Sequence, residues 1–430
     1  MTTIVRAKVA HTPGNPFAGD GALQVFDDGA LAFAGGRIVA CGAYGDVRAG
    51  HPDAEVLDAR DTILLPGFVD CHVHYPQIAV IGSMGLELMD WLESRCLPEE
   101  ARLADLGYAR SVAERFVRGL AANGTTTALV FGSHFAGAQE ALFAAAAASG
   151  LRVASGLVVS DRGLLPELHV SASVALEASR ELCERWHGRG LIRYAVTPRF
   201  SVSCSDEMLG ACGELLGSAD DLLFTTHLNE SLGEIDLVAS LFPGARDYLE
   251  TYERHGLVGA RSVFAHDVHV SNDELRRLAG ADAAVAHCPS SNAFLGSGLF
   301  PLRRHLDAGV RVGLGTDVGA GTGLSLLKEG LAAHDVQMLQ GAEGVRLSPA
   351  RLLWLATAAG AAALGLSDEI GDLSVGKSAD YVLVRPPAGS TLEVVVQGSD
   401  SLAEALGAVF ALAREESIAE VRVAGRVVSP

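Results

Sequence analysis

His72 and His74 are separated by one residue in the stretch Pro66-Gly67-Phe68-Val69-Asp70-Cys71-His72-Val73-His74-Tyr75-Pro76-Gln77. Residues i and i+2 of a β-strand share a face, so the two imidazoles would point the same way and form half of a metal site. The pair has a second reading, a partly buried strand with hydrogen-bonded rings. Phe224-Thr225-Thr226-His227-Leu228-Asn229-Glu230 reads as a strand end with a third imidazole and a carboxylate three residues on. Glu230 would either lean over the site as a proton carrier or stand as a helix-start residue favoured by the dipole. Val312-Gly313-Leu314-Gly315-Thr316-Asp317 ends a strand with an acid in a glycine-rich turn, as a ligand or as an N-cap. Three histidines plus Asp317 suit Zn²⁺ or another divalent first-row ion, with a position left for water. Such an ion brings the pKa of its water to about 7. His266, in Phe264-Ala265-His266-Asp267, is one imidazole more than this set needs and would sit around it, touching hydroxide and substrate. For His287 a core histidine and a site residue remain equally open.

The elements that must place these residues alternate along the chain. Candidate strands end near Cys71, Phe131, Val159, Thr197, His227, His266, His287 and Asp317, with helical stretches such as Leu103–Asn123, Ala136–Ser149 and Val174–His187 between many of them. Eight strands with crossovers predict a (β/α)₈ TIM-like barrel of the α/β class, whose chemistry sits at the carboxyl ends of the strands. His72, His74, Arg199, His227, His266, His287 and Asp317 all fall there. Residues 1–65 read as short strands, with a hairpin at Leu31–Ala34, Gly35-Gly36 and Arg37–Ala40. Val421–Val423, Ala424-Gly425 and Arg426–Val428 repeat that pattern at the far end. The two ends are expected to pair into one small β-sandwich domain, giving segments 1–65, 66–372 (the barrel) and 373–430.

Composition bounds the function. The 430 residues are 49% apolar, enough for a sizeable core, and carry a net charge of −19 from 33 basic and 52 acidic side chains. No basic face is left to meet phosphates, so nucleic acid is not an expected partner. Seven scattered cysteines without Cys-x-x-Cys spacing argue against a disulfide framework and for a reducing, cytoplasmic setting. Met1–Val9 has no secretory pattern, and the Ala-rich run Ala141–Ala148 is too short to cross a bilayer. No membrane partner is expected.

The chain resembles the amidohydrolase superfamily in His72-x-His74, His227, His266, Asp317 and the late Val375-Gly376-Lys377-Ser378-Ala379-Asp380. Within it, the chain is similar to the guanine deaminase family over essentially its whole length. The residues that carry this are Asp70 through Gln77 with its Tyr-Pro-Gln tail, Trp186-His187-Gly188, Thr197-Pro198-Arg199-Phe200, His287-Cys288-Pro289 with Ser291-Asn292, Leu295 through Phe300, and Gly315 through Gly319. The resemblance implies that His72, His74, His227 and Asp317 hold zinc. It makes Glu230, Asp317 and His266 catalytic, with Glu230 the proton shuttle, and gives Gln77, Arg199, Phe200 and His266 the purine. Binuclear barrels of this type carry a lysine on strand four; here Leu191–Phe200 has none, so one ion per chain is expected. Cys71 stands where threonine is common, Ser231 where asparagine is, and Ser160 where methionine is; none is a ligand or substrate position.

The implied reaction is hydrolytic deamination of guanine to xanthine and ammonia. Metal-bound hydroxide attacks C2, Asp317 accepts the water proton, and Glu230 protonates the adjacent ring nitrogen. A homodimer is also implied. A related deaminase acting on a pterin, 8-oxoguanine or an s-triazine is the alternative. A metal-less assembly protein on the same barrel predicts missing ligands, whereas every ligand position is filled.

Overall fold

The computed structural model describes residues 1–19 and 21–428. The chain opens with strands β1 (Thr2–His11), β2 (Gln24–Ala34), β3 (Arg37–Ala43) and β4 (Glu55–Pro66). The barrel strands follow: β5 (Phe68–His74), β6 (Thr125–Phe131), β7 (Arg152–Gly156), β8 (Val158–Val159), β9 (Ile192–Pro198), β10 (Leu223–Leu228), β11 (Ser262–His266), β12 (Ala284–His287) and β13 (Arg311–Leu314). The chain closes with β14 (Tyr381–Val384), β15 (Ile418–Val423) and β16 (Arg426–Val427).

Barrel pairing is parallel throughout, in the order β13-β12-β11-β10-β9-β7-β6-β5, with β8 continuing the third position beside β9. This is the expected (β/α)₈ barrel. Beyond the regular ladder, the amide of Asp317 donates to the His72 carbonyl (2.8 Å) and that of His74 to the Val318 carbonyl (3.1 Å), drawing the first and last strands together at the site. The interior is filled by small side chains, among them Leu129, Ala154, Ala195, Leu223, Val263, Ala284 and Ala286, while larger ones such as Phe224, Phe264 and Leu314 pack outward against the helices.

Both chain ends enter one seven-stranded mixed sheet, β16-β15-β14-β4-β1-β2-β3. The two sequence hairpins are its β2–β3 and β15–β16 pairs, and the ends meet where β14 pairs antiparallel with β4.

Two boundaries differ from expectation for local reasons. The helix expected at Leu103 begins at Leu106, because the Asp105 side chain caps it by accepting from the Tyr108 amide. The next but one starts at Ala172 rather than Val174, with Ser171 as its cap. Ala136–Ser149 is helical over the expected span.

Candidate active site

Strand β5 owes its chemistry to a bulge. Val69 and Cys71 belong to the barrel interior, whereas Val73 packs outward, so the inward phase changes between them. The pairing with β6 slips at that point: Asp70 opposes Ala128 and Val73 opposes Val130, three residues' advance against two. The extra residue lets the inward phase pass from Val69 and Cys71 to His72 and His74. The crowding this causes explains the glycines of β13 and its turn. A Cβ on Gly313 would lie 2.5 Å from Cys71 Sγ, and one on Gly315 would lie 2.9 Å from His72 Cβ. Asp70, pointing away, takes up the Thr316 amide (3.1 Å) and hydroxyl (2.6 Å) and fixes the last turn.

His72, His74, His227 and Asp317 converge as expected, all buried, with one ligand atom each lying within 4.8 Å of the others. His74 Nε2 is 3.1 Å from His72 Nε2 and 3.3 Å from His227 Nε2, and Asp317 Oδ1 is 3.2 Å from both His72 and His74 Nε2. A tetrahedral ion with bonds near 2.0–2.1 Å requires ligand-to-ligand edges of about 3.3 Å, so these residues fit a divalent metal. The tautomer of His227 agrees: its Nδ1–H donates to the Arg199 carbonyl (2.7 Å), leaving the Nε2 lone pair for the ion. Burial holds all three imidazoles below their ordinary pKa, His74 at about 4, so they are neutral donors. Burial works to raise the Asp317 carboxyl, but the facing histidines hold it well below the usual range. Asp317 is no helix cap; its backbone is left-handed (φ 47°), as is that of His266 (φ 74°), and such backbone strain clusters at functional sites.

Glu230 is not the helix-start residue either. The helix Leu232–Leu241 is capped by Ser231 with Glu234 in a reciprocal box. Glu230 instead turns inward, accepting from Ser297 Oγ (3.2 Å), with its Oε2 3.5 Å from His266 Nε2. Burial, with the charge of Asp317 adding to it, pushes its pKa up to about 8, so it holds a proton at neutral pH. His266 Nδ1 meets Asn292 Oδ1 (2.8 Å), which directs its Nε2 at Glu230 and at Asp317 Oδ2, 3.8 Å away.

A cavity of about 360 Å³ opens over this cluster. The expected substrate residues Gln77, Arg199, Phe200 and His266 all line it. His287 does not; it is a buried ring stacked on Phe300 (centroids 4.3 Å apart), away from the cluster.

One wall residue and two side chains behind the wall carried no signal in the sequence. Trp91 is buried against the cavity, and its indole N–H has no acceptor among the described residues. Glu100 accepts from Arg199 Nη1 (2.6 Å) and from Gln77 Nε2 (2.8 Å). His134 has a buried side chain with Nε2 3.4 Å from Glu100 Oε2. Trp91 and Glu100 come from a run of short helical turns over Leu88–Ala104, in which Leu92–Cys96 forms a wider π turn. His169 and His334 are structural, bonded to the Leu164 amide and the Leu347 carbonyl.

Residues 63–428 match the amidohydrolase family. A probable guanine deaminase of Deinococcus radiodurans is 57% identical, the alignment covering 99% of this chain and 98% of that protein. The solved guanine deaminase of E. coli superposes with a TM-score of 0.94 at 38% identity, covering 100% of this chain and 99% of that one. That of C. acetobutylicum, with guanine bound in its active site, gives 0.91 at 27% identity over the whole of both chains. The chain belongs to the amidohydrolase family, in its guanine deaminase branch.

Proposed function

We propose that the chain hydrolyses guanine to xanthine and ammonia in the cavity over His72, His74, His227 and Asp317. The observation that carries the reading is the placement of a buried carboxyl, Glu230, beside His266 and in the same pocket as a cluster that can hold a metal. An ion bound there, which we take to be one zinc per chain because β9 has no lysine, supplies the attacking water in reactive form at neutral pH.

The remaining work falls to side chains. C2 of guanine is an amidine-like carbon and a poor electrophile until the ring nitrogen beside it is protonated. Glu230 holds the proton for that nitrogen. Asp317 Oδ2 takes one proton of the attacking water and passes it to the departing amino group. The second returns to Glu230 as the new C2 hydroxyl becomes a carbonyl. The Arg199 fork donates to O6, a planar acceptor edge that suits a guanidinium. Phe200 lies against the purine face and supplies affinity rather than choice. Gln77 is already committed to Glu100 and to the Gly319 amide (3.0 Å), so it reads the purine edge from a fixed orientation.

The resemblance supports a homodimer, and the scattered cysteines support a cytoplasmic setting; no helix among the described residues is long and apolar enough to cross a membrane. The pairing of β14 with β4 supports reading 1–65 with 373–430 as one β domain around the barrel of 66–372.

A panel of guanine, adenine, pterin, 8-oxoguanine and an s-triazine tests the substrate. Adenine lacks O6 and the 2-amino group and leaves Arg199 unpaired, which rejects it by about 10⁴ or more. Guanine should have the highest kcat/KM; another compound leading the panel would overturn the assignment.

A further inference from the structure

The charge beside the substrate pocket is balanced by one side chain. Arg199 is buried, and a guanidinium keeps its proton at any working pH. Left alone it would be an uncompensated positive charge in a small cavity, a costly arrangement. Glu100, equally buried, meets it at 2.6 Å through Oε2, while its Oε1 receives the Gln77 amide at 2.8 Å. Cys96 closes the cluster: its thiol donates to Glu100 Oε1 (3.3 Å) and accepts from Arg199 Nη2 (3.4 Å). The titratable groups facing the pair are His134, Cys96 and, across the cavity, Glu230 and Asp317. Burial works against the Glu100 charge, but Arg199 and His134 hold its pKa well below the usual carboxylate range, so it stays ionised. Burial pushes the Cys96 thiol well up, so it stays neutral and adds no charge.

We propose that Glu100 is a positioning residue that also neutralises Arg199, so that the pocket holds a neutral purine and does not trap an anionic product. The inference rests on the guanine reading above. Guanine is neutral near pH 7, whereas xanthine, with two ring carbonyls, is the stronger acid and carries negative charge on its ring once ionised. An isolated Arg199 would bind that anion in preference to the substrate and slow its release. With Glu100 in place, attraction and repulsion offset each other, and the fork still offers its remaining N–H groups to a carbonyl oxygen. Glu100 also orients both Arg199 and Gln77, so one carboxylate sets the direction of two purine-reading side chains.

The test compares KM for guanine with the inhibition constant for xanthine in the metal-loaded wild type, Glu100→Gln and Glu100→Asp. Wild-type turnover of guanine establishes the underlying reading; its absence sinks that reading and the inference with it. In Glu100→Gln the ratio of xanthine inhibition constant to guanine KM should fall about tenfold or more, and further as pH rises and xanthine ionises. Glu100→Asp, which keeps the charge, should bring the ratio back toward wild type. Both constants rising together in Glu100→Gln, with the ratio unchanged, would reduce Glu100 to a structural prop. Should Glu100→Gln fail to fold, the wild type alone decides: its xanthine inhibition should not tighten as xanthine ionises, and tightening would overturn the inference.

Discussion

On one side of the cavity the functional atoms hang from strand ends; on the other they hang from short helical turns. His72, His74, His227 and His266 lie at the carboxyl ends of β5, β10 and β11 and Asp317 just past β13, strands whose backbones are tied to neighbours on both sides by parallel ladders or by the bonds that close the barrel. Trp91, Cys96 and Glu100 come from the Leu88–Ala104 turns, which belong to no sheet; Leu88, Trp91 and Leu92 line the pocket, and Cys96 and Glu100 hold Arg199 from behind it. Metal ligands tolerate little displacement, because coordination distances are fixed to a few tenths of an ångström. Substrate recognition tolerates more: Gln77, Arg199 and Phe200 sit just past β5 and β9, and the helical turns back the first two through Glu100 and add Trp91 to the cavity.

Substitutions on the two walls should therefore cost unequal amounts. The largest loss belongs to the strand-end side. Asp317→Ala should release the metal and reduce turnover by at least about 10⁴, since the source of the nucleophile goes with it. Elemental analysis beside a rate assay reads both, and a variant that keeps its ion and its activity would remove Asp317 from the ligand set. Next comes Glu230→Gln, which should keep fold and metal while kcat falls by roughly 10²–10⁴. Near-normal turnover would mean that another group moves the proton.

Those residues were legible because strand ends leave a periodic trace: an apolar run, then a histidine or an acid at its carboxyl end. Even there the trace was incomplete. Strict alternation from Val69 and Cys71 puts His72 and His74 on the opposite face, and only the bulge after Asp70 reconciles the two sets. The glycines of Gly313-Leu314-Gly315 were visible as a turn, but not as room made for Cys71 and His72. The helical wall was illegible for a different reason. In Leu88-Met89-Asp90-Trp91-Leu92-Glu93-Ser94-Arg95-Cys96-Leu97-Pro98-Glu99-Glu100, acids are frequent, and Glu99 and Glu100 look alike. Glu99 pairs with Arg102, three residues on, whereas Glu100 is held behind the cavity wall by Arg199, 99 positions away in the chain. Nothing local separates them; a long-range charge partner does.

A smaller effect tests the helical wall directly. Trp91→Phe removes the unpartnered indole N–H and keeps an aromatic ring against the cavity. KM for guanine should rise about three- to tenfold with kcat and metal content little changed, the cost of one hydrogen bond to substrate. An unchanged KM would mean that Trp91 shapes the pocket without touching the purine.

We propose that guanine hydrolysis by this chain depends on a single ion held by His72, His74, His227 and Asp317. The most direct measurement is the rate of xanthine formation from guanine as metal-stripped protein is titrated with zinc. The rate should start near zero, rise linearly to one equivalent per chain and stay flat beyond it. Full activity in the stripped protein, or a break at two equivalents, would contradict the single-ion site.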